Sequence, residues 1–141
     1  MNIDPKSGRI EIEAGGLVVR PDLSRDEFLA SSMGVTARIV VQNGQYVTYS
    51  FTFSIGTSLF AASLVFESQR LDSVQIERVN RGRTWGNWSE AQELERKNDH
   101  DNLLVSFLGK PPYKYLWGEI VSMYDPRSGS ANISIQYRKA L

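Results

Sequence analysis

The sequence predicts an α+β fold, a curved antiparallel sheet of hairpins and a meander with one short and one long helix packed on it. Three observations carry this expectation. In "YVTYSFTFSI" the residues Val47, Tyr49, Phe51, Phe53 and Ile55 alternate with Tyr46, Thr48, Ser50, Thr52 and Ser54, the period of a strand with one buried face. Turn chemistry at Asn43-Gly44 and in "DPRSGS" separates adjacent strand-like runs. Between Asn87 and Leu108 the residues are strong helix formers, closed by Gly109 and by Pro111-Pro112, which forbid continuation.

Taken in order, "GRIEIEAGGLVVR" alternates Ile10 and Ile12 with charged neighbours and turns at Gly15-Gly16 into Leu17 and Val19, a small hairpin. "LSRDEFLASSMG" follows, with Ser24 as N-cap, Glu27 completing a capping box and Gly34 as the stop of a short helix. "ARIVVQNGQYV" is a hairpin whose Asn-Gly turn pairs Val40 with Val47. Two more strands continue the meander, one burying Phe60, Ala62, Leu64 and Phe66, the other Val74 and Ile76. Ser89 caps the long helix. Its apolar residues fall into two stripes, Trp88, Ala91 and Leu94, then Leu103, Leu104, Phe107 and Leu108, with eight polar residues between, so the segment is one helix wetted in the middle or two broken near Asn98. A last hairpin turns through Pro126 and Gly129; Ala131, Ile133, Ile135 and Tyr137 share one face of its second strand, while both faces of the first carry apolar groups and leave its register open.

Composition narrows the function. At 141 residues, 41% of them hydrophobic, the chain is expected to be a single domain spanning 1–141. Sixteen Lys and Arg balance sixteen Asp and Glu, so no global field favours nucleic acid or an anionic membrane. The absence of cysteine removes disulfides, thiolate nucleophiles and cysteine-based metal centres. The N-terminus lacks a basic start followed by an apolar core, and no apolar run approaches the length of a membrane span, so a cytoplasmic location is expected.

The one histidine, His100, lies between Asp99 and Asp101 in the polar run "ERKNDHDN". On a helix, neighbours in sequence point about 100° apart and cannot converge on one ion. Metal pairs come at i, i+3 or i, i+4, where His100 has Arg96, Lys97, Leu103 and Leu104, so no metal is expected; His100 reads as the edge of the stripe formed by Leu103, Leu104 and Phe107. In a loop, the same Asp-His-Asp cluster would suit a metal or a positioned water. No G-x-S-x-G, GxGxxG or GxxxxGK[ST] occurs, and Ser106 or Ser122 would join His100 in a triad only through the fold. Glu90, Glu93 and Asp101 on the helix, and Glu11 and Glu13 on the first strand, read as solvated carboxylates.

"RVNRGRTWGNW" gathers Arg78, Arg81 and Arg83 with Trp85 and Trp88. Arginine and indole suit phosphates and stacked bases, but also protein hot spots, and the balanced total charge favours the protein partner. In "GKPPYKYLWG" the rings of Tyr113, Tyr115 and Trp117 alternate beside Lys110 and Lys114, and core burial of one or two of the three is expected.

Through "FAASLVFESQRLDSVQIERV" and "WGEIVSMYDPRSGSANISIQY" the chain resembles the small bacterial immunity proteins encoded beside contact-dependent inhibition and other polymorphic toxins. The likeness lies in size, lack of cysteine, sheet-plus-helix layout and absence of catalytic signatures, and spans the whole chain. It implies a non-enzymatic protein that blocks one cognate toxin domain, often a nuclease, by direct occlusion, without cofactor, as monomer or homodimer. The neutral charge departs from the acidic character common among nuclease inhibitors. The expected contact set is Arg81, Arg83, Trp85, Trp88, Asp99 and Asp101. Two rivals are a small hydrolase or ligand-binding domain using His100 and nearby carboxylates, and a nucleic-acid accessory protein using the arginine-tryptophan segment.

Overall fold

Ile10 and Ile12 are fully buried, as their alternation with charged residues requires, and they anchor the smaller of two antiparallel sheets. In this computed structural model the described residues are 1–13, 16–80, 82 and 85–139, the side chain of Trp85 excepted. The expected N-terminal hairpin is present as β2 (Ile10–Glu11) against β3 (Val18–Val19), paired Ile10↔Val19 and Glu11↔Val18. A further strand, β1 (Asn2–Ile3), adds to β2. Two residues are too few to display a period, so no local pattern marks this strand.

Helix α1 (Arg25–Ala30) begins with both bonds of the capping box: Glu27 N–H donates to Ser24 Oγ at 3.1 Å, and Ser24 N–H to Glu27 Oε1 at 3.4 Å. The expected stop at Gly34 is corrected. The helix ends at Ser31, whose hydroxyl accepts from Gly34 N–H at 3.0 Å and starts a second short helix, α2 (Ser32–Thr36). Gly34 serves close approach instead, since a Cβ there would lie 1.8 Å from the Phe28 carbonyl oxygen.

Strands β4 (Arg38–Asn43), β5 (Tyr46–Ile55), β6 (Ser58–Glu67) and β7 (Arg70–Arg78) form the meander. The first hairpin turns at Gly44-Gln45, with Asn43 opposite Tyr46. Val47 faces Gln42, not Val40 as an Asn43-Gly44 turn would require, because the two turn residues are Gly44-Gln45; farther from the turn, Val40 is the extra residue of a bulge between Ile39 and Val41. After a 3-10 turn at Trp85–Asn87, one unbroken helix, α3 (Glu90–Leu108), crosses the sheet to β8 (Tyr113–Tyr115), β9 (Gly118–Asp125) and β10 (Ser130–Tyr137). The larger sheet runs β4-β5-β6-β7-β10-β9-β8, so the final hairpin docks with its last strand against β7. The open register of the first strand of that hairpin resolves with Ile120 inward and Val121 and Met123 outward.

The inward face is built in cross-strand rows. One consists of Tyr49, Leu64, Val74, Ile135, Ile120 and Tyr113, all buried. Phe28 of α1 fills the β5–β6 end, its ring 5.6 to 5.9 Å from those of Tyr49, Phe51 and Phe66. Helix α3 covers β7, β10 and β9; its second stripe is as expected, with Leu104 buried and Leu103, Phe107 and Leu108 packed against the core, but its first is not. Ala91 and Leu94 face water, whereas Glu93, Arg96, His100 and Leu104 are buried. The spacing of 93, 96, 100 and 104 is one helical stripe, and a rigid helix that packs Leu104 inward turns those polar residues inward with it. The inner face of the helix is therefore dry along its middle while Glu95 and Asn98 on the outer face stay exposed, and Glu93 is a buried carboxylate, not a solvated one.

Candidate functional site

β7 is longer than its partner β10, which pairs with it only through Ile76. Arg78, two residues on, pairs with Phe60 of β6 on one side, while on the other, among the described residues, no strand pairs with it, although β10 runs on to Ser130. Two side chains of α3 take the strand's place. His100 Nε2 accepts the Arg78 N–H at 3.0 Å, and Arg96 Nη1 donates to the Arg78 carbonyl at 3.0 Å. Arg96 also meets Glu93 Oε1 at 2.6 Å, Ser130 Oγ at 3.2 Å and Glu77 at 3.4 Å. A backbone amide that would otherwise be buried without a partner is thus satisfied, which fixes the helix on the sheet.

This geometry makes His100 a neutral acceptor. Burial, then the guanidinium charges of Arg96 and Arg78, push the imidazole down to about 4, against a partial pull from Asp99 and Asp101. The aspartates on either side diverge as helical geometry requires. Asp99 reaches the Arg78 guanidinium at 2.5 Å, and Asp101 the Lys97 ammonium at 2.9 Å. Among the described residues no group of three or more His, Cys, Asp or Glu side chains is placed to hold a metal.

Of the expected contact set, Arg81 and Arg83 and the indole of Trp85 lie outside the described residues. Trp88 is half-buried; its indole donates to the Gly129 carbonyl at 2.9 Å and lies against Gly129, tying the approach to α3 to the β9–β10 turn. Asp99 and Asp101 are held by the ion pairs just described. Of the three rings after the prolines, Tyr113 is buried, while Tyr115 and Trp117 stack at 5.0 Å and are partly covered. The Trp117 indole donates to the Pro5 carbonyl at 2.9 Å and so joins the small sheet to the large one.

Two surfaces missed by the sequence reading remain open. At one edge of the large sheet, Ile39, Val40 and Val41 of β4 are 54 to 57% exposed, and Val35 of α2 is more exposed still. Among the described residues β4 pairs with β5 alone, and its other backbone edge carries no strand. At the opposite edge a recess of about 420 Å³ opens between α3 and the β8–β9 hairpin, walled by Leu104, Val105, Pro112 and Val121 and flanked by the Lys97–Asp101 pair. The signal for the first was present in "RIVVQN", where three apolar residues in succession cannot all face one side of a strand. Among the described residues no helix is long and apolar enough to cross a membrane. No protein-family model, curated protein sequence or solved structure matches the chain.

Proposed function

We propose that this chain is a non-enzymatic binding protein that captures a cognate protein, a toxin domain in the manner of an immunity protein, and neutralises it by occlusion. The observation that carries the proposal is the bare edge of β4. Sheet edges are normally covered, or blunted by lysine or proline, because their unpaired N–H and C=O groups invite another strand. Here the edge carries Ile39, Val40 and Val41 facing water, with only the bulge at Val40 to interrupt it. Strand addition uses such an edge, main-chain bonds supplying affinity and the flanking side chains specificity. A chain with zero formal net charge has no long-range field to steer a charged partner, so recognition by backbone pairing and shape fits it better than a charge patch.

The test is co-expression with the product of the reading frame next to its own. The expected result is one-to-one capture and loss of that product's toxicity, with capture weakened at least tenfold by Val40→Lys or Val41→Asp at unchanged melting temperature. Failure to retain the neighbouring product, or its retention unweakened by both β4 variants, would overturn the proposal. If His100→Ala abolished protection while folding and capture persisted, the hydrolase alternative would replace it.

A further inference from the structure

The rows of the inward face are not equally complete. The row through Tyr49 extends across the sheet to Tyr113 on β8. The adjacent row, Phe51, Ala62, Ile76, Ile133 and Ser122, ends at β9 with a serine, and where a β8 residue would stand opposite Ser122 there is the recess of about 420 Å³. β8 pairs with β9 only from Tyr113↔Ile120 to Tyr115↔Gly118. It cannot be extended backward, because Pro111 and Pro112 precede Tyr113 and neither has an N–H to donate. Residues 121–125 of β9 therefore have no strand on the side away from β10 among the described residues.

We propose that the recess and this bare half of β9 form one site for an extended peptide segment of another protein, lying antiparallel to β9 in line with β8. One large apolar side chain, opposite Ser122, drops into the recess against Leu104 and Val105, and completes the row that the chain itself leaves short. The next residue of the segment, away from Pro112, points outward beside the exposed side chain of Met123. The occupant is an extended backbone because the unpaired groups of β9 alternate donor and acceptor along the strand, a pattern only another strand matches. It is uncharged at its anchor because the walls are mainly apolar and the flanking charges, Lys97 with Asp101 and Lys114 with Glu119, balance. A polyanion finds no net attraction there. This site lies at the opposite sheet edge from β4 and does not rest on the capture proposed above.

The experiment uses the full chain and a phage-displayed library of random octapeptides. Selection should enrich peptides carrying one Phe, Trp, Leu or Met within an otherwise extended, uncharged stretch. Synthetic versions should shift the backbone amide resonances of residues 121–124. Val105→Trp, which fills the recess from its exposed rim, should weaken them at least tenfold, and Val121→Lys should do so in case the tryptophan disturbs folding; Val40→Lys on β4 should leave their affinity within twofold. No enrichment over selection against an unrelated protein, peptides indifferent to both recess variants, or amide shifts confined to β4 would each overturn the proposal. None of these results depends on whether a toxin is captured.

Discussion

His100 stands where a strand is missing: its Nε2 accepts the backbone N–H of Arg78 at 3.0 Å, past the point where β10 ceases to pair with β7. The one histidine of the chain is thus a hydrogen-bond acceptor in the core; burial, then the charges of Arg96 and Arg78, hold it neutral against the opposing pull of Asp99 and Asp101.

That assignment sets a pH dependence. The folded-state value, about 4, lies below the ordinary 6.5, so the unfolded chain binds the proton more readily. The stability due to neutral His100 is complete above about pH 6.5 and is lost as pH falls toward 4, a change on the order of 3 kcal/mol from this group. His100→Gln retains an acceptor for Arg78 and removes the titration. Urea unfolding between pH 4 and 7 should show a flatter profile for the variant than for the native chain, and parallel profiles would refute the role.

Glu93 and Arg96, three residues apart on α3, form a buried ion pair at 2.6 Å. Removing one partner from such a pair leaves the other charge buried, so Glu93→Gln should cost roughly 3 kcal/mol, the lower end of the usual range because Glu77 still reaches Arg96. Glu93→Leu combined with Arg96→Met should be more stable than Glu93→Leu alone. Denaturant midpoints of the three variants decide the matter.

Two glycines should respond differently to alanine. At Gly34 the new methyl would meet the Phe28 carbonyl in a buried turn, and the cost should be about 3 kcal/mol or more. At Gly56, with φ +59° and open space around it, only the left-handed conformation is penalised, by about 1 to 2 kcal/mol. Thermal melts of Gly34→Ala and Gly56→Ala should separate the two.

Trp88 separates an anchor from a contact residue. Its indole N–H satisfies the Gly129 carbonyl, so Trp88→Phe should lower stability by about 1 kcal/mol. Capture of the cognate protein through β4 should remain within twofold of native, as measured by calorimetric titration; a larger loss would place Trp88 in the interface.

Local periods and caps were already written in the chain. The alternation from Val47 to Phe53, the turn before Gly129, the capping box of Ser24 and Glu27 and the closing Gly109 depend on residues within a few positions of one another, and each element they imply exists. What those signals could not hold is which strand lies beside which, and how far each pair extends. The pairing of β10 with β7 ends at Ile76, and so Glu93, Arg96 and His100, two of them polar residues that composition alone puts in water, become part of the buried face of α3. β8 stops short of Ser122, and so a row of the core ends in an open recess. How far two strands stay paired is a relation between segments far apart in the chain, and a backbone group's need for a partner arises only once its neighbours are in place.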